Sequence, residues 1–327
     1  MSTKDTDHII TILDQVTSFL CVLLTGVQLI SYVFGIFPAM QHRTLFLGFV
    51  LSIILLIHIR NKLKSKILDI WEIFLLFGII FSSAYIFVNW YEMSFRVIRP
   101  EKLDLMVGIL IIAAVINCSN IRLGRPLPLI AMFFIFYALF GQYIKGDMGT
   151  VSFTVQRVVS ILTMETSGIF GTILGTAAKQ IFVFMIFGSF LELSGASEFF
   201  LKMTSTMLGS LKGSGAKVNT MAGGLLGMVS GSAVANVMAV GPMTFPMMKK
   251  DGFSKDFCGA IAAISGTGGQ LMPPVMGTAA FIIAETLAVS YGEVTKAALI
   301  PGVLFYLTIW ITINCHSNHL GLKERRE

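Results

Sequence analysis

Two short stretches of small and polar residues interrupt the apolar second half of this 327-residue chain. The first, SGSAVAN, contains two hydroxyl side chains and one amide, at Ser230, Ser232 and Asn236. Gly231, between the two serines, favours a turn because it has no Cβ to restrict its backbone angles. The stretch therefore predicts a turn whose polar side chains face a cavity.

The second stretch, SGTGGQLMPP, predicts a break in a helix. Its glycines permit unusual backbone angles, and its two prolines lack the N–H groups that a continuous helix needs. Backbone carbonyls without helical partners are expected at this point. The residues that form the predicted break are Thr267, Gly268, Gly269, Gln270, Pro273 and Pro274.

Helices must hold both stretches in place. Thr220–Val229 and Ala233–Val240 are each expected to form a half-helix, the first about 15 Å long at about 1.5 Å per residue. Such lengths reach only half-way across a bilayer, so the pair predicts a re-entrant hairpin over about residues 220–248. Its tip is tolerated only beside protein or a water-filled cavity. The broken helix is predicted over about residues 257–289.

A hairpin tip and a broken helix together predict the ion and substrate site of a secondary transporter. In such sites, carbonyls at the C-terminal ends of half-helices hold Na⁺ or H⁺, and the N-terminal ends face anions. Packing of small residues is the alternative interpretation for the glycines, particularly in GGLLG at 223–227.

The composition predicts an all-α polytopic membrane protein. Hydrophobic residues make up 55% of the chain, charged residues only 13%, and the mean hydropathy is +0.80. The predicted membrane segments are Val16–Phe37, Leu45–Ile59, Trp71–Trp90, Leu103–Cys118, Leu127–Ile144, Ile169–Leu193, Thr220–Met248, Phe257–Val289 and Ala297–Asn314.

Charge and cysteine usage exclude several function classes. The net charge of +6 is explained by loop charges at a membrane surface, and a nucleic-acid role would need a basic soluble domain. If the N-terminus is cytoplasmic, the inner loops contain seven Lys and Arg residues, including Lys66, and the outer loops contain five, including Arg43 and Lys145. This excess of positive charge on the inner side favours a cytoplasmic N-terminus. The four scattered cysteines predict no disulfide framework. Beyond the Na⁺ site, no metal or cofactor is predicted; the short cluster Cys315, His316 and His319 is expected to be interfacial.

Charged residues near the membrane are further candidates. Glu165 and Glu192 lie near the ends of a predicted span, which favours an interfacial position for their carboxylates. Lys179 lies deeper, where it could pair with a carboxylate or meet an anion. Glu285 could line the cavity or simply end its helix.

The residue composition of the chain changes near residue 150. Residues 1–150 have ordinary apolar spans and basic loops, which predict a packing scaffold. Residues 151–327 are rich in Gly, Ser, Thr and Met at depths where backbone should be helical, which predicts the transport machinery.

The motifs GLLGMVSGSAVANV, PMMKKDGF and SGTGGQLMPPVMGTAAFIIAE resemble the large membrane subunit of tripartite ATP-independent periplasmic (TRAP) transporters. The likeness is greatest to the branch that works with TAXI-type binding proteins. The first part resembles the small membrane subunit, fused ahead of the large one.

This resemblance implies an elevator-type importer in the bacterial inner membrane that couples Na⁺ to uptake of organic acids. A TAXI-type periplasmic binding protein would deliver the substrate. It also implies one ion site and one wall of the substrate cavity, formed by the hairpin and the break. The large subunit has two inverted repeats, whereas this chain contains only one SGSAVAN and one GGQ–PP. The second repeat is therefore expected from another chain or from a longer form of this one.

Two other functions remain open from the sequence. A passive channel or assembly scaffold would need no binding protein. An intramembrane hydrolase with Ser230 or Ser232 as nucleophile would need an activating base, and no His lies between residues 59 and 315. The sequence therefore favours a non-enzymatic transporter.

Overall fold

In the computed structural model, residues 3–64, 70–144, 149, 151 and 153–322 are described. The structure is 83% helical, and no strand occurs among the described residues. Within them, seven helices are long and apolar enough to cross a membrane. The predicted all-α polytopic membrane architecture is confirmed.

Polar end turns make five of the described helices longer than the predicted apolar spans: Thr3–Phe34, Ala39–Lys64, Ile70–Phe95, Lys102–Leu123 and Tyr291–His319. The helix predicted over Leu127–Ile144 instead ends at Phe140, and the predicted span Ile169–Leu193 is divided by a π-helical segment, Ala177–Ile181. The α-helices within the described residues are α1 Thr3–Phe34, α2 Ala39–Lys64, α3 Ile70–Phe95, α4 Lys102–Leu123, α5 Pro126–Phe140, α6 Val155–Thr163, α7 Thr172–Thr176, α8 Phe182–Leu193, α9 Ala196–Leu208, α10 Ser214–Ser230, α11 Ala233–Asp251, α12 Lys255–Gly268, α13 Thr278–Leu287 and α14 Tyr291–His319.

The chain divides into two compact units, Met1–Lys179 and Gln180–Glu327. This division follows packing and lies later in the chain than residue 150, which is itself outside the described residues. The assignment of 1–150 to a small-subunit-like scaffold stays a prediction.

The first unit is an apolar helix bundle in which α1 to α4 pack mainly on their chain neighbours. Leu55, Leu75 and Ile79 are fully buried between α2 and α3. Gly48 allows α2 to approach α3 closely, since a Cβ at that position would lie 2.5 Å from Ser83 Oγ. These contacts form a close-packed apolar core.

Charged groups of the first unit form ion pairs between neighbouring helices. Arg60 bonds Asp14 at 2.7 Å, and Glu72 accepts from Lys62 at 2.6 Å. Arg43, which the sequence placed in a loop, lies in α2 and donates to the Phe170 carbonyl oxygen at 2.6 Å. Two other loop charges, Lys66 and Lys145, lie outside the described residues.

The second unit is built around α10, which packs against α9, α11, α12 and α14. Every residue from Ser214 to Thr220 is buried, so the first two turns of α10 lie wholly inside the unit. Ala216 joins Met248 of α11 and Ile313 of α14 in one apolar core. This core holds the two interrupted segments side by side.

The predicted half-helix bounds are wrong at both outer ends. α10 begins at Ser214 rather than near Thr220, because the Asp251 carboxylate accepts the Gly215 N–H at 2.7 Å and so satisfies a free donor of its first turn. α11 continues through Pro242 to Asp251 instead of ending near Val240. Pro242 is exposed, whereas Val240, Thr244 and Met248 on the other face are buried, so packing of that face maintains the helix despite the lost donor.

Candidate ion and substrate site

The predicted hairpin turn is present and has two residues. α10 ends at Ser230, and Gly231 follows with φ of 60°, the left-handed conformation that glycine adopts at low cost. Ser232 then caps α11, its Oγ accepting the Ala235 N–H at 3.3 Å. The sequence SGS therefore ends one helix and begins the next within a single turn.

Asn236 connects the hairpin to the end of α12. Its side chain is 2% exposed. Asn236 Oδ1 accepts the Ser230 hydroxyl at 2.7 Å, and Asn236 Nδ2 donates to the Gly266 carbonyl oxygen at 3.3 Å. Because both ends of the amide are used, the orientation of this side chain is fixed by its partners. Asn236 thus holds the turn and the last turn of α12 together.

Glycines allow the backbone of the hairpin to approach the backbone of the break closely. A Cβ on Gly227 would lie 2.1 Å from the Gly269 Cα, and a Cβ on Gly231 would lie 2.1 Å from the Met276 carbonyl oxygen. Neither distance leaves room for a side chain. The C-terminal ends of α10 and α12 are therefore adjacent, and both present the negative ends of their helix dipoles.

The break between α12 and α13 runs from Gly269 to Gly277 and is an ordered loop. The Gly277 N–H donates to the Gln270 carbonyl oxygen at 2.8 Å, and the Val275 N–H donates to the Met228 carbonyl oxygen of α10 at 3.1 Å. The expectation of loose carbonyls is thus only partly met, since tertiary contacts occupy several of them.

Tyr291, the first residue of α14, supports the same loop. Its hydroxyl contacts the Pro274 carbonyl oxygen at 2.8 Å and the Val275 carbonyl oxygen. Its ring stacks on Phe281 of α13, with centroids 4.3 Å apart. One side chain therefore links the break to α13 and α14.

The structure brings some of the predicted site residues together and leaves others apart. Ser230, Gly231, Asn236 and Gly269 form the direct contact between hairpin and break. Ser232 lies beside them as the cap of α11.

The other predicted site residues have different surroundings. Gly268 faces Phe305 and Tyr306 of α14, which is a packing role. Thr267 is exposed, and its hydroxyl donates to the Ala263 carbonyl oxygen of its own helix. Pro273 is buried in the loop, whereas Gln270 and Pro274 are exposed.

A buried polar network that the sequence did not predict lies beneath the hairpin tip. The Thr244 hydroxyl lies 2.7 Å from Asn219 Oδ1, and Asn219 Nδ2 donates to the Ile261 carbonyl oxygen at 3.4 Å. A second link joins Ser265 Oγ to Thr220 Oγ1 at 3.3 Å. The signal was present in Asn219-Thr220, a polar pair directly before nine small or apolar residues at 221–229.

A cleft of about 130 Å³ opens against the hairpin tip. Ser230, Ser232 and Asn236 line one side, and the C-terminal part of α8 lines another. The hairpin tip therefore borders a cavity, as the sequence predicted.

Comparison with known proteins identifies the family. A sequence model of the DctM component of tripartite ATP-independent periplasmic transporters matches residues 109–327. The chain belongs to this family. As a member of the TRAP permease family, it is an inner-membrane protein, which confirms the predicted location.

Three relatives show the extent of the likeness. The uncharacterized protein YgiK of Salmonella typhimurium is 30% identical over 144 residues, which are 43% of this chain and 33% of YgiK. The isethionate TRAP transporter permease protein DctMQ of Oleidesulfovibrio alaskensis is 27% identical over 201 residues, or 61% of this chain and 31% of that protein. The C4-dicarboxylate TRAP transporter large permease protein DctM of Vibrio cholerae is 28% identical over 130 residues, or 40% and 28%. The chain thus spans about a third or less of the length of these relatives.

Proposed function

We propose that this chain is the membrane permease component of a Na⁺-coupled importer of organic acids, supplied by a TAXI-type periplasmic binding protein. The observation that carries the proposal is the backbone contact between Gly227 and Gly269. It sets the C-terminal ends of two helices side by side beside a cleft, where their carbonyl oxygens favour a cation.

The opposite helix ends supply the anion side of the proposed site. α11 begins at Ala233 and α13 at Thr278, and the contact of Gly231 with Met276 brings the segments before these two helices together. Helix N-termini favour negative charge because their first N–H groups lack intrahelical partners. A substrate carboxylate bound there, with Na⁺ near the helix C-termini, would couple the two ligands through one hairpin.

The names of the relatives support an organic anion as the substrate class. Two of them are named for isethionate and for C4-dicarboxylates, both of which carry an acidic group. We propose a substrate of the same chemical class for this chain. The absence of a His near Ser230 and Ser232 in the sequence, and the use of both hydroxyls in the turn, weigh against the hydrolase alternative.

In the proposed mechanism, the hairpin and the break move together as part of an elevator, while residues 1–150 stay as scaffold. Their shared backbone contacts and the Asn236 bonds support movement as one body. A second hairpin and break, from the same polypeptide or another chain, would complete the site that the family resemblance implies.

Uptake into proteoliposomes tests this function. Vesicles would carry the protein together with the chain segment that supplies the second repeat, and TAXI-type binding protein and labelled organic acids would be added outside. We expect uptake that requires an inward Na⁺ gradient and is lost in Ser232→Ala and Gly269→Leu. Flux that needs neither Na⁺ nor binding protein would contradict the proposal and favour a channel.

A further inference from the structure

The cleft beside the hairpin tip has a wall from α8 that the predicted site did not include. Met185, Gly188, Ser189 and Glu192 line it. Their spacing of three, four and seven residues places them on one face of the helix. Glu192 therefore points along the same side of α8 as the residues that pack toward the hairpin.

The facing wall belongs to the hairpin and has the same periodicity. Ser232, Ala235, Asn236 and Ala239 line the cleft from α11. The last three follow Ser232 by three, four and seven positions, which is the spacing of the α8 residues as well, so all four share one face. The cleft is thus a groove between two helix faces, with Ser230 at its end.

α8 also touches the end of α10 directly. A Cβ on Gly188 would lie 3.1 Å from the Val229 carbonyl oxygen, in the last turn of α10. This close approach brings the α8 face to the level of the hairpin turn. Glu192, an exposed residue in the last turn of α8, consequently borders the same cleft as the hairpin.

The charge of the cleft is negative. Among the described residues that line it, Glu192 is the one with a charged side chain. Serine hydroxyls and the C-terminal end of α10 add further oxygen atoms with partial negative charge. Hard cations prefer such oxygen ligands, and the volume accommodates an ion with several water molecules. A carboxylate ligand would be repelled.

We propose that Glu192 supplies the full negative charge of the coupling-cation site. Na⁺, still partly hydrated, binds in the cleft between the Glu192 carboxylate and the hairpin oxygens. The same charge keeps the organic anion out of this cleft, which includes the first turns of α11, and leaves the N-terminus of α13, none of whose residues lines the cleft, as its place of binding. This inference rests on the proposed function and adds a residue from α8 to it.

Glu198 provides a matched control. It is an exposed carboxylate in the first turn of α9, and it does not line the cleft. Lys202 bonds it at 2.8 Å, and this hydrogen bond holds the pKa of the Glu198 carboxyl below its usual value. Replacing Glu198 by Gln removes one negative charge near the site without touching the cleft.

Thermal unfolding of the purified full chain, titrated with NaCl at constant ionic strength against choline chloride, tests the inference. A cation that binds the folded state raises the melting temperature with its concentration, which gives an apparent Kd. We expect Glu192→Gln to weaken the apparent Na⁺ affinity about tenfold or more, and Glu192→Asp to weaken it less. Glu198→Gln should retain the wild-type affinity. In choline alone, Glu192→Gln should melt like the wild type, because its carboxylate has no role in the fold.

The outcomes separate this inference from the proposed function. A Na⁺ response that Glu192→Gln keeps and Ser232→Ala loses would overturn the role of Glu192 and leave the hairpin site standing. Equal weakening by Glu192→Gln and Glu198→Gln would also overturn it, because it would reflect general surface charge. A wild-type chain that gives the same melting temperature in Na⁺ and choline would overturn both.

Discussion

Gly227 and Gly269 approach each other so closely that a Cβ on Gly227 would lie 2.1 Å from the Gly269 Cα. This contact joins the hairpin to the broken helix without any intervening side chain. Gly227 lies in the last turn of α10, and Gly269 caps the C-terminal end of α12. Because a side chain on either glycine would push these two helix ends apart, the geometry of the proposed cation site depends on both glycines.

Replacing Gly227 by Ala should therefore separate the two segments. We expect a loss of about 1–3 kcal/mol in the free energy of unfolding, as for other over-packed interiors. Melting in detergent would measure it. Gly259→Ala is the control, since Gly259 is likewise a helical glycine, in α12, and a Cβ there would meet nothing within 4 Å. Equal melting temperatures for both variants would show that the contact is not tight.

Asn236 gives a second prediction, because its amide uses both its acceptor and its donor. Asn236→Asp keeps the acceptor for Ser230 but cannot donate to the Gly266 carbonyl oxygen when ionised. Asn236→Ala loses both bonds. We expect Asn236→Ala to cost about 1–3 kcal/mol, and Asn236→Asp to melt below the wild type as well. Val234→Ala, at an exposed position of the same helix, should change little. Wild-type melting of Asn236→Ala would refute the bridging role.

The Tyr291 hydroxyl can be tested apart from its ring. Tyr291→Phe keeps the stack on Phe281 and removes the contact with the carbonyl oxygens of the break. We expect about 1 kcal/mol of destabilisation and faster hydrogen exchange at the Val275 amide, because the loop is held less firmly. Tyr32→Phe, at an exposed position of α1, is the matched control. Unchanged exchange at Val275 would mean that α10 alone fixes the loop.

The buried pair Asn219 and Thr244 calls for a double-mutant cycle. Thr244→Val and Asn219→Ala should each destabilise the protein, and the double variant should lose less than the sum of the two. A coupling of about 0.5–3 kcal/mol is expected for residues in one hydrogen-bond network. Thr312→Val, whose hydroxyl bonds only within its own exposed helix turn, controls for loss of a hydroxyl. Additive effects would contradict a direct bond.

The sequence predicted the helical class and the position of the hairpin turn because those features follow from local chemistry. Hydrophobic content determines membrane burial, glycine favours the left-handed end of a helix, and serine favours the N-terminal cap of the next one. The sequence did not predict where α10 begins, because the start of this helix depends on Asp251, which is distant in the sequence. The sequence placed Glu192 near the end of a span, where the structure has it exposed, but it did not indicate that this face of α8 lines the hairpin cleft. Its place beside the hairpin depends on how α8 packs, which no local pattern encodes.

Binding of ²²Na⁺ to the purified chain is the most direct test of the central claim that the hairpin and the break form a cation site. The account predicts saturable binding to the wild-type chain and to Gly259→Ala. It predicts strong loss of binding in Asn236→Ala and Ser232→Ala, with both variants shown to be folded by their melting curves. Saturable binding that persists unchanged in those two folded variants would contradict the account, as would a wild-type chain that binds no Na⁺.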